Sequence, residues 1–141
     1  MTNRQKYSVG FLFNDDQVVL IEKNRPAWQK GKLNGIGGHV EPGETFEECM
    51  EREFEEETGV KVTDWTQFMI MDFPDAEIAF FTKFDHEAVS QTKTVTDERV
   101  CRMEVWDIQN WNVIDNLTWI IPFAQQSHKY EKVVLKSRGD A

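Results

Sequence analysis

The sequence is poor in cysteine. Cys49 and Cys101 are the only two, and they form neither a metal-binding spacing nor a disulfide framework. A reducing, cytoplasmic setting is therefore the expectation. Long apolar runs are also missing: none approaches the roughly 20 residues needed to span a bilayer. Met1 to Gly10 is polar and lacks the apolar core of a signal peptide, so no membrane partner is expected. Positive charge is scarce, with 16 Lys and Arg against 25 Asp and Glu and a net charge of -9. Such a surface repels polyanions, which argues against long DNA or RNA as partners. Repeats, low-complexity tracts and linkers are absent, and the 141 residues read as one domain over 1–141, a monomer or small homo-oligomer.

What is present divides into strands and helices. Tyr7–Phe13 and Gln17–Lys23 are β-branched and aromatic runs separated by Asn14-Asp15-Asp16, which predicts two strands and a tight turn. Asn24 to Gly35 reads as a loop, and Ile36–Val40 as a short strand ending in the turn Glu41-Pro42-Gly43. A helix is expected from Thr45 to Thr58, with Thr45 and Glu48 at capping-box spacing and Gly59 as its stop. Lys61–Phe73, Ala76–Phe84 and Val100–Asp107 are strand candidates. A second helix is expected over Leu117–His128, delayed or kinked by Pro122, then a final strand at Lys132–Lys136 and a frayed tail to Ala141.

The first helix breaks local rules. At 100° per residue, Phe46, Cys49 and Met50 form an apolar stripe. Glu47, Glu48, Glu51 and Glu55 fall on the solvated side. Glu53 and Glu57 lie within roughly 20° of Phe46, on the continuation of the stripe, with Glu56 on its flank. Three like charges stacked at i, i+3 and i+4 in the last turns oppose each other and the helix dipole. Hard divalent cations with oxygen ligands remedy such a cluster. Violations of this kind concentrate where function is built. The plainer alternative, an acidic helix face solvated by water, suits the other four glutamates.

The segment Gly38 to Val60, with Glu44, Arg52-Glu53-Phe54, Glu56-Glu57 and Gly59-Val60 in place, resembles the Nudix box, G-x5-E-x7-R-E-U-x-E-E-x-G-U. Phe54 stands where a bulky aliphatic residue is usual. The resemblance implies an α+β fold, a Nudix-type α/β/α sandwich with a mixed central β-sheet. It implies Mg²⁺, with Mn²⁺ as a substitute, held by Glu53, Glu56 and Glu57 and by the Gly38 carbonyl, which Gly37 and Gly38 bring close. Glu44 would support these ligands. Arg52 would fix the rotamers of the box glutamates. In Thr96-Asp97-Glu98-Arg99, Glu98 matches the further acid that many relatives use on metal or water. One of Glu56, Glu57 and Glu98 would take the proton of the attacking water; the sequence leaves the choice open.

Around the box, Lys23 and Arg25 are candidate phosphate clamps, against a plain solvated strand-end pair. Leu33-Asn34-Gly35-Ile36-Gly37-Gly38 resembles the segment that contacts the base in enzymes that sanitise oxidised purine triphosphates. By that likeness Asn34 and Trp28 would meet the base, and Asp115, Asn116 and Trp119 would match the acidic pair and tryptophan beside it. Core or helix packing is the plainer role for Trp111 and Trp119. The expected activity is Mg²⁺-dependent cleavage of a small nucleotide, a nucleoside triphosphate such as 8-oxo-dGTP, to monophosphate and pyrophosphate. The alternatives are a hydrolase of ADP-ribose or another substituted nucleoside diphosphate, or a nucleotide sensor without turnover. An extended N-terminal arm, used by many ADP-ribose enzymes to dimerise, is not seen before the first strand. Sensors usually lose a box carboxylate, and here all are kept.

Overall fold

A computed structural model describes residues 4–138, so residues 1–3 and the end of the expected frayed tail, 139–141, lie outside the described residues. Strands β1 (Gln5–Phe13) and β2 (Gln17–Glu22) form an antiparallel hairpin. Asn14 makes its turn: the side-chain Oδ1 accepts from the amides of Asp16 at 3.1 Å and Gln17 at 2.7 Å. Further strands are β3 (Leu33–Asn34), β4 (Ile36–His39), β5 (Thr66–Asp72), β6 (Ala76–Phe84), β7 (Val100–Glu104) and β8 (Val133–Lys136). The sheet runs β3-β2-β1-β6-β5-β8, with β4 also pairing β1 and β7 pairing β2. β1 lies parallel to β6 and β5 parallel to β8, while the other pairs are antiparallel, so the sheet is mixed.

Both faces of the sheet are covered, which explains why β1 and β2 read as continuous apolar runs rather than alternating ones. On one face, Leu12, Val19 and Ile21 pack under helix α1 (Phe46–Thr58) and the short helix α2 (His86–Gln91) through Met50, Phe54, Ala88 and Val89. On the other, Phe11, Phe13, Val18 and Leu20 meet helix α3 (Leu117–Gln126) through Leu117, Ile120, Ile121 and Ala124. The result is the expected helix–sheet–helix sandwich.

Helix α1 begins and ends where its signals predict. The Thr45 hydroxyl accepts from the Glu48 amide, Glu48 accepts in return from the Thr45 amide, and Gly59 closes the helix in the left-handed region at φ 77°. Its buried stripe differs in detail. Cys49 and Met50 are buried, but Phe46 is half-buried, and the stripe continues through Phe54 and Thr58 at four-residue steps. Glu51, expected in water, is half-buried.

Other boundaries are corrected. The strand expected from Lys61 starts only at Thr66, because Val62 and Trp65 turn inward to cap α1. The Trp65 indole donates to the Val62 carbonyl at 3.0 Å, and its ring lies 5.1 Å from that of Phe54. The strand expected to reach Asp107 ends at Glu104 and passes into a 3-10 turn over Val105–Asn110. Helix α3 runs through Pro122 to Gln126, since its buried face outweighs one missing hydrogen bond. Helix α2, not expected from the sequence, is capped by Asp85, whose carboxylate accepts from the Ala88 amide at 3.0 Å.

Phe54 is fully buried between α1 and Trp65. Phe54→Ala should therefore cost about 3–5 kcal/mol, read by urea denaturation. A loss under 1 kcal/mol would mean that α1 is not anchored through this ring.

Candidate active site

The site is built where β4 passes the flank of α1. Gly37 and Gly38 pair with Val9 and Ser8 of β1. A side chain at Gly38 would meet the Glu53 carboxylate at 2.5 Å, and one at Gly37 would meet the Ser8 carbonyl oxygen at 1.8 Å. Both positions need glycine because backbone and carboxylate approach so closely. The Cys49 thiol lies 3.6 Å from the Gly38 carbonyl, on the α1 side.

Arg52 organises the carboxylates. Its Nε and Nη2 donate to the two oxygens of Glu44 at 2.7 and 3.0 Å. Nη2 also donates to the His39 carbonyl at 3.1 Å, and Nη1 donates to Glu53 at 2.9 Å and more weakly to Glu56 at 3.4 Å. These charge-assisted bonds hold the Glu44 carboxyl below the usual carboxylate range. Glu53 behaves oppositely. Burial pushes its carboxyl up, with repulsion from Glu56 and Glu57 adding to it against the pull of Arg52. Glu57 is also raised, first by burial and then by Glu98, while a hydrogen bond from Thr96 works against the shift. Glu56, placed on the flank of the stripe by its helical angle, is exposed.

These residues fit a hard divalent cation. A row of half-buried carboxylates, raised by burial and mutual repulsion, sits against a glycine carbonyl strand, and its donors are all oxygen. The side chains do not yet converge, however. Among the described residues, no group of three His, Cys, Asp or Glu could hold a metal ion as it stands. Arg52 reaches toward Glu53 and Glu56, and Glu57 accepts from the Thr96 hydroxyl at 3.2 Å. Glu98 is buried, with one oxygen accepting from the Lys23 ammonium at 3.2 Å and the other from the Asn24 amide at 2.6 Å. Expected as a further metal acid, Glu98 here spends both oxygens tying the end of β2 to the 94–99 loop.

A cavity of about 420 Å³ opens beside Gly37 and Gly38. Its apolar floor is Val9, Ile78 and Phe80 from β1 and β6, with Ile114 and Leu117 at the start of α3. Trp28, Asn34, Asn116 and Lys23 line it, as their candidate roles require. Arg25 does not line it; its exposed guanidinium pairs with Asp97 and lies 3.9 Å from Glu98. Lys23 rather than Arg25 is thus the cation facing the cavity. Asp115 is corrected too: it is exposed and outside the lining, because the turn that buries Ile114 and aims Asn116 inward sends it to solvent. Trp111 packs against the α3-side core as expected, but Trp119 is 45% exposed and is no core residue. Gln29, Tyr7 and Phe80 in the cavity, and Thr96 beside Glu57, are not among the residues expected at the site. Thr96 adjoins the acids of its loop and could have been weighed with them, whereas Phe80 reads as ordinary core.

Comparison with known proteins adds to this geometry. The profile of the NUDIX domain matches residues 4–123. The NAD-capped RNA hydrolase NudC of Chromobacterium violaceum is 35% identical over 78 residues, 48% of this chain but only 29% of that protein. A MutT structure from work on Aliivibrio salmonicida and Vibrio cholerae superposes with a TM-score of 0.68 at 23% identity, covering 90% of this chain and 98% of that one. The NUDIX domain of Shewanella oneidensis NrtR, crystallised with ADP ribose, gives a TM-score of 0.71 at 14% identity, with 89% of each chain covered.

The Glu44–Arg52 pair should also set part of the acid stability. Because the folded Glu44 carboxyl titrates below its unfolded value, the pair contributes fully above the ordinary carboxylate range. That contribution is lost as pH falls through the depressed value. Glu44→Gln should cost about 1.5–3 kcal/mol at pH 7, a difference that shrinks steadily toward pH 3 in pH-resolved denaturation. A gap that stays constant with pH would refute the pairing.

Proposed function

The chain belongs to the NUDIX family, and from that premise we propose that it is a metal-dependent pyrophosphohydrolase of a purine nucleoside triphosphate. Monophosphate and pyrophosphate are the products, and oxidised purines such as 8-oxo-dGTP are among the substrates to test. The carrying observation is the cavity: a base-sized apolar compartment whose wall at Gly38 is also the ceiling of the carboxylate row. Its apolar lining, with Phe80 and the exposed Trp28, suits a planar base, and Lys23 and the Gly37-Gly38 backbone suit phosphates.

Glu53, Glu56, Glu57 and the Gly38 carbonyl would hold Mg²⁺, or Mn²⁺ in its place. The bound cation supplies charge neutralisation at the phosphates and a lower pKa for the attacking water. Arg52 holds Glu44 through both its oxygens and Glu53 through one, which leaves the second Glu53 oxygen to turn toward the cation. Glu57 is the candidate base: burial holds its carboxyl above the usual carboxylate range, and the Thr96 hydroxyl holds it in place. It takes the proton as water attacks phosphorus and the bridging oxygen leaves with the second product. Lys23 offers its ammonium to the phosphates, at the expense of its bond to Glu98.

A second reading is cleavage of ADP-ribose or a related substituted diphosphate. It is favoured by the ADP ribose in the NrtR complex and by the name of the NudC relative. One assay separates the two. The protein is incubated with Mg²⁺ and canonical and oxidised dNTPs, ADP-ribose, dinucleoside polyphosphates and capped nucleotides, with products resolved by chromatography. Release of pyrophosphate from purine triphosphates, reduced at least about 100-fold by Glu57→Gln, is expected. Turnover of ADP-ribose alone would favour the second reading, and full activity of Glu57→Gln would remove Glu57 from the mechanism.

A further inference from the structure

The cavity has a polar edge whose hydrogen-bonding sense is fixed by the backbone. The Gly35 amide donates to the Asn34 side chain at 2.7 Å. A backbone N–H can only donate, so the Asn34 atom it meets is the oxygen, and the Asn34 amino group must point the other way. That amino group donates to Gln29 at 3.2 Å, which makes the Gln29 atom the oxygen in turn. One backbone hydrogen thus orients two side-chain amides in series. The Gln29 amino group is bonded to no described residue, and Gln29 and Asn34 both line the cavity above Val9, Ile78 and Phe80. What the pair presents to a bound ring is an edge of N–H donors.

We infer that Gln29 is a specificity-determining residue, and that the Asn34–Gln29 pair selects purines carrying a 6-keto oxygen over those carrying a 6-amino group. The inference rests on reading this cavity as the base pocket. A keto oxygen can accept from both amides. A 6-amino group sets donor against donor and leaves the amides unpaired, which is the kind of mismatch that pockets reject strongly. The adjacent N7 is an acceptor in unoxidised 6-keto purines and in adenine alike, so between these bases selection falls on position 6.

Hypoxanthine and adenine differ there with no 2-amino group to confuse the comparison. Binding of inosine and adenosine monophosphates is measured by calorimetry, and hydrolysis of the corresponding triphosphates is measured in parallel. Wild-type protein should prefer the inosine nucleotide by roughly 10-fold or more. Gln29→Ala should bring the ratio close to one. Gln29→Glu keeps the oxygen that accepts from Asn34 but replaces the free donor by an acceptor, and it should invert the preference toward adenine. A merely structural role for Gln29 would not produce that inversion. The Gln29 backbone, which donates to the Pro26 carbonyl and accepts from the Lys32 amide, both at 2.9 Å, keeps its turn in each variant. Equal binding of both monophosphates, a ratio unmoved in both variants, or no binding of either would overturn the inference. Equal hydrolysis of both triphosphates would overturn it while leaving the hydrolase reading intact. Selective inosine binding without any hydrolysis would do the reverse.

Discussion

Arg52 is the single cation among the glutamates of α1, and its guanidinium is shared between Glu44, Glu53 and the His39 carbonyl. The helix carries acid where an amphipathic helix should be apolar, in its last turns, where the dipole is also unfavourable. Its tolerance of that acid depends on this planar fork, which matches two carboxylates and a carbonyl at once in a way a lysine could not. The rest follows from the same demand. A good N-cap, a left-handed glycine stop and the buried Met50, Phe54 and Thr58 offset the repulsion, and the missing side chain at Gly38 leaves room for Glu53.

The sheet divides the labour between its faces. Even positions of β1, from Ser8 to Leu12, meet the α1 side: the Ser8 hydroxyl donates to the Phe46 carbonyl, and Gly10 gives way to Met50. Odd positions face α3, and Tyr7 and Val9 become wall of the cavity. The acids and the cavity therefore lie on opposite faces. They meet only where β4, lacking side chains at Gly37 and Gly38, lets one reach the other.

Legibility in the sequence followed the range of the interactions. The caps of α1, the flank position of Glu56 and the half-burial of Glu53 and Glu57 depend on residues within a turn or two, and local signals and helical periodicity are enough to place them. The mixed sandwich was legible through the Nudix box rather than through any strand. What escaped depends on distant partners. The 61–65 segment looks like strand because Val62 and Trp65 are apolar, but their apolarity serves the end of α1. Asp115 and Asn116 are equivalent as a pair in sequence, and only the burial of Ile114 and Leu117 decides which one turns inward. Gln29 has no signature at all, since its part depends on Asn34 facing it across a loop.

The carboxylate row and the cavity edge are carried by different segments. The carboxylates and Arg52 belong to one helix and the strand beside it, under constraints that leave little freedom. The cavity edge comes from the segment between β2 and β4, which holds a 3-10 turn at Ala27–Gln29 and the short β3 rather than only loop, and from the turn before α3; Trp28, Gln29 and Asn116 there belong to no strand of the sheet. The two are joined by a short chain of polar contacts. Glu98 holds Lys23 and the Asn24 amide, its own amide donates to the Thr96 hydroxyl, and that hydroxyl donates to Glu57. Because the hydroxyl has one hydrogen and already accepts from Glu98, its hydrogen is directed at Glu57. The loop that edges the cavity is thereby tied to the end of the carboxylate helix. This is why a match to the family accounts for the carboxylate helix, while the lining of the cavity is particular to this chain.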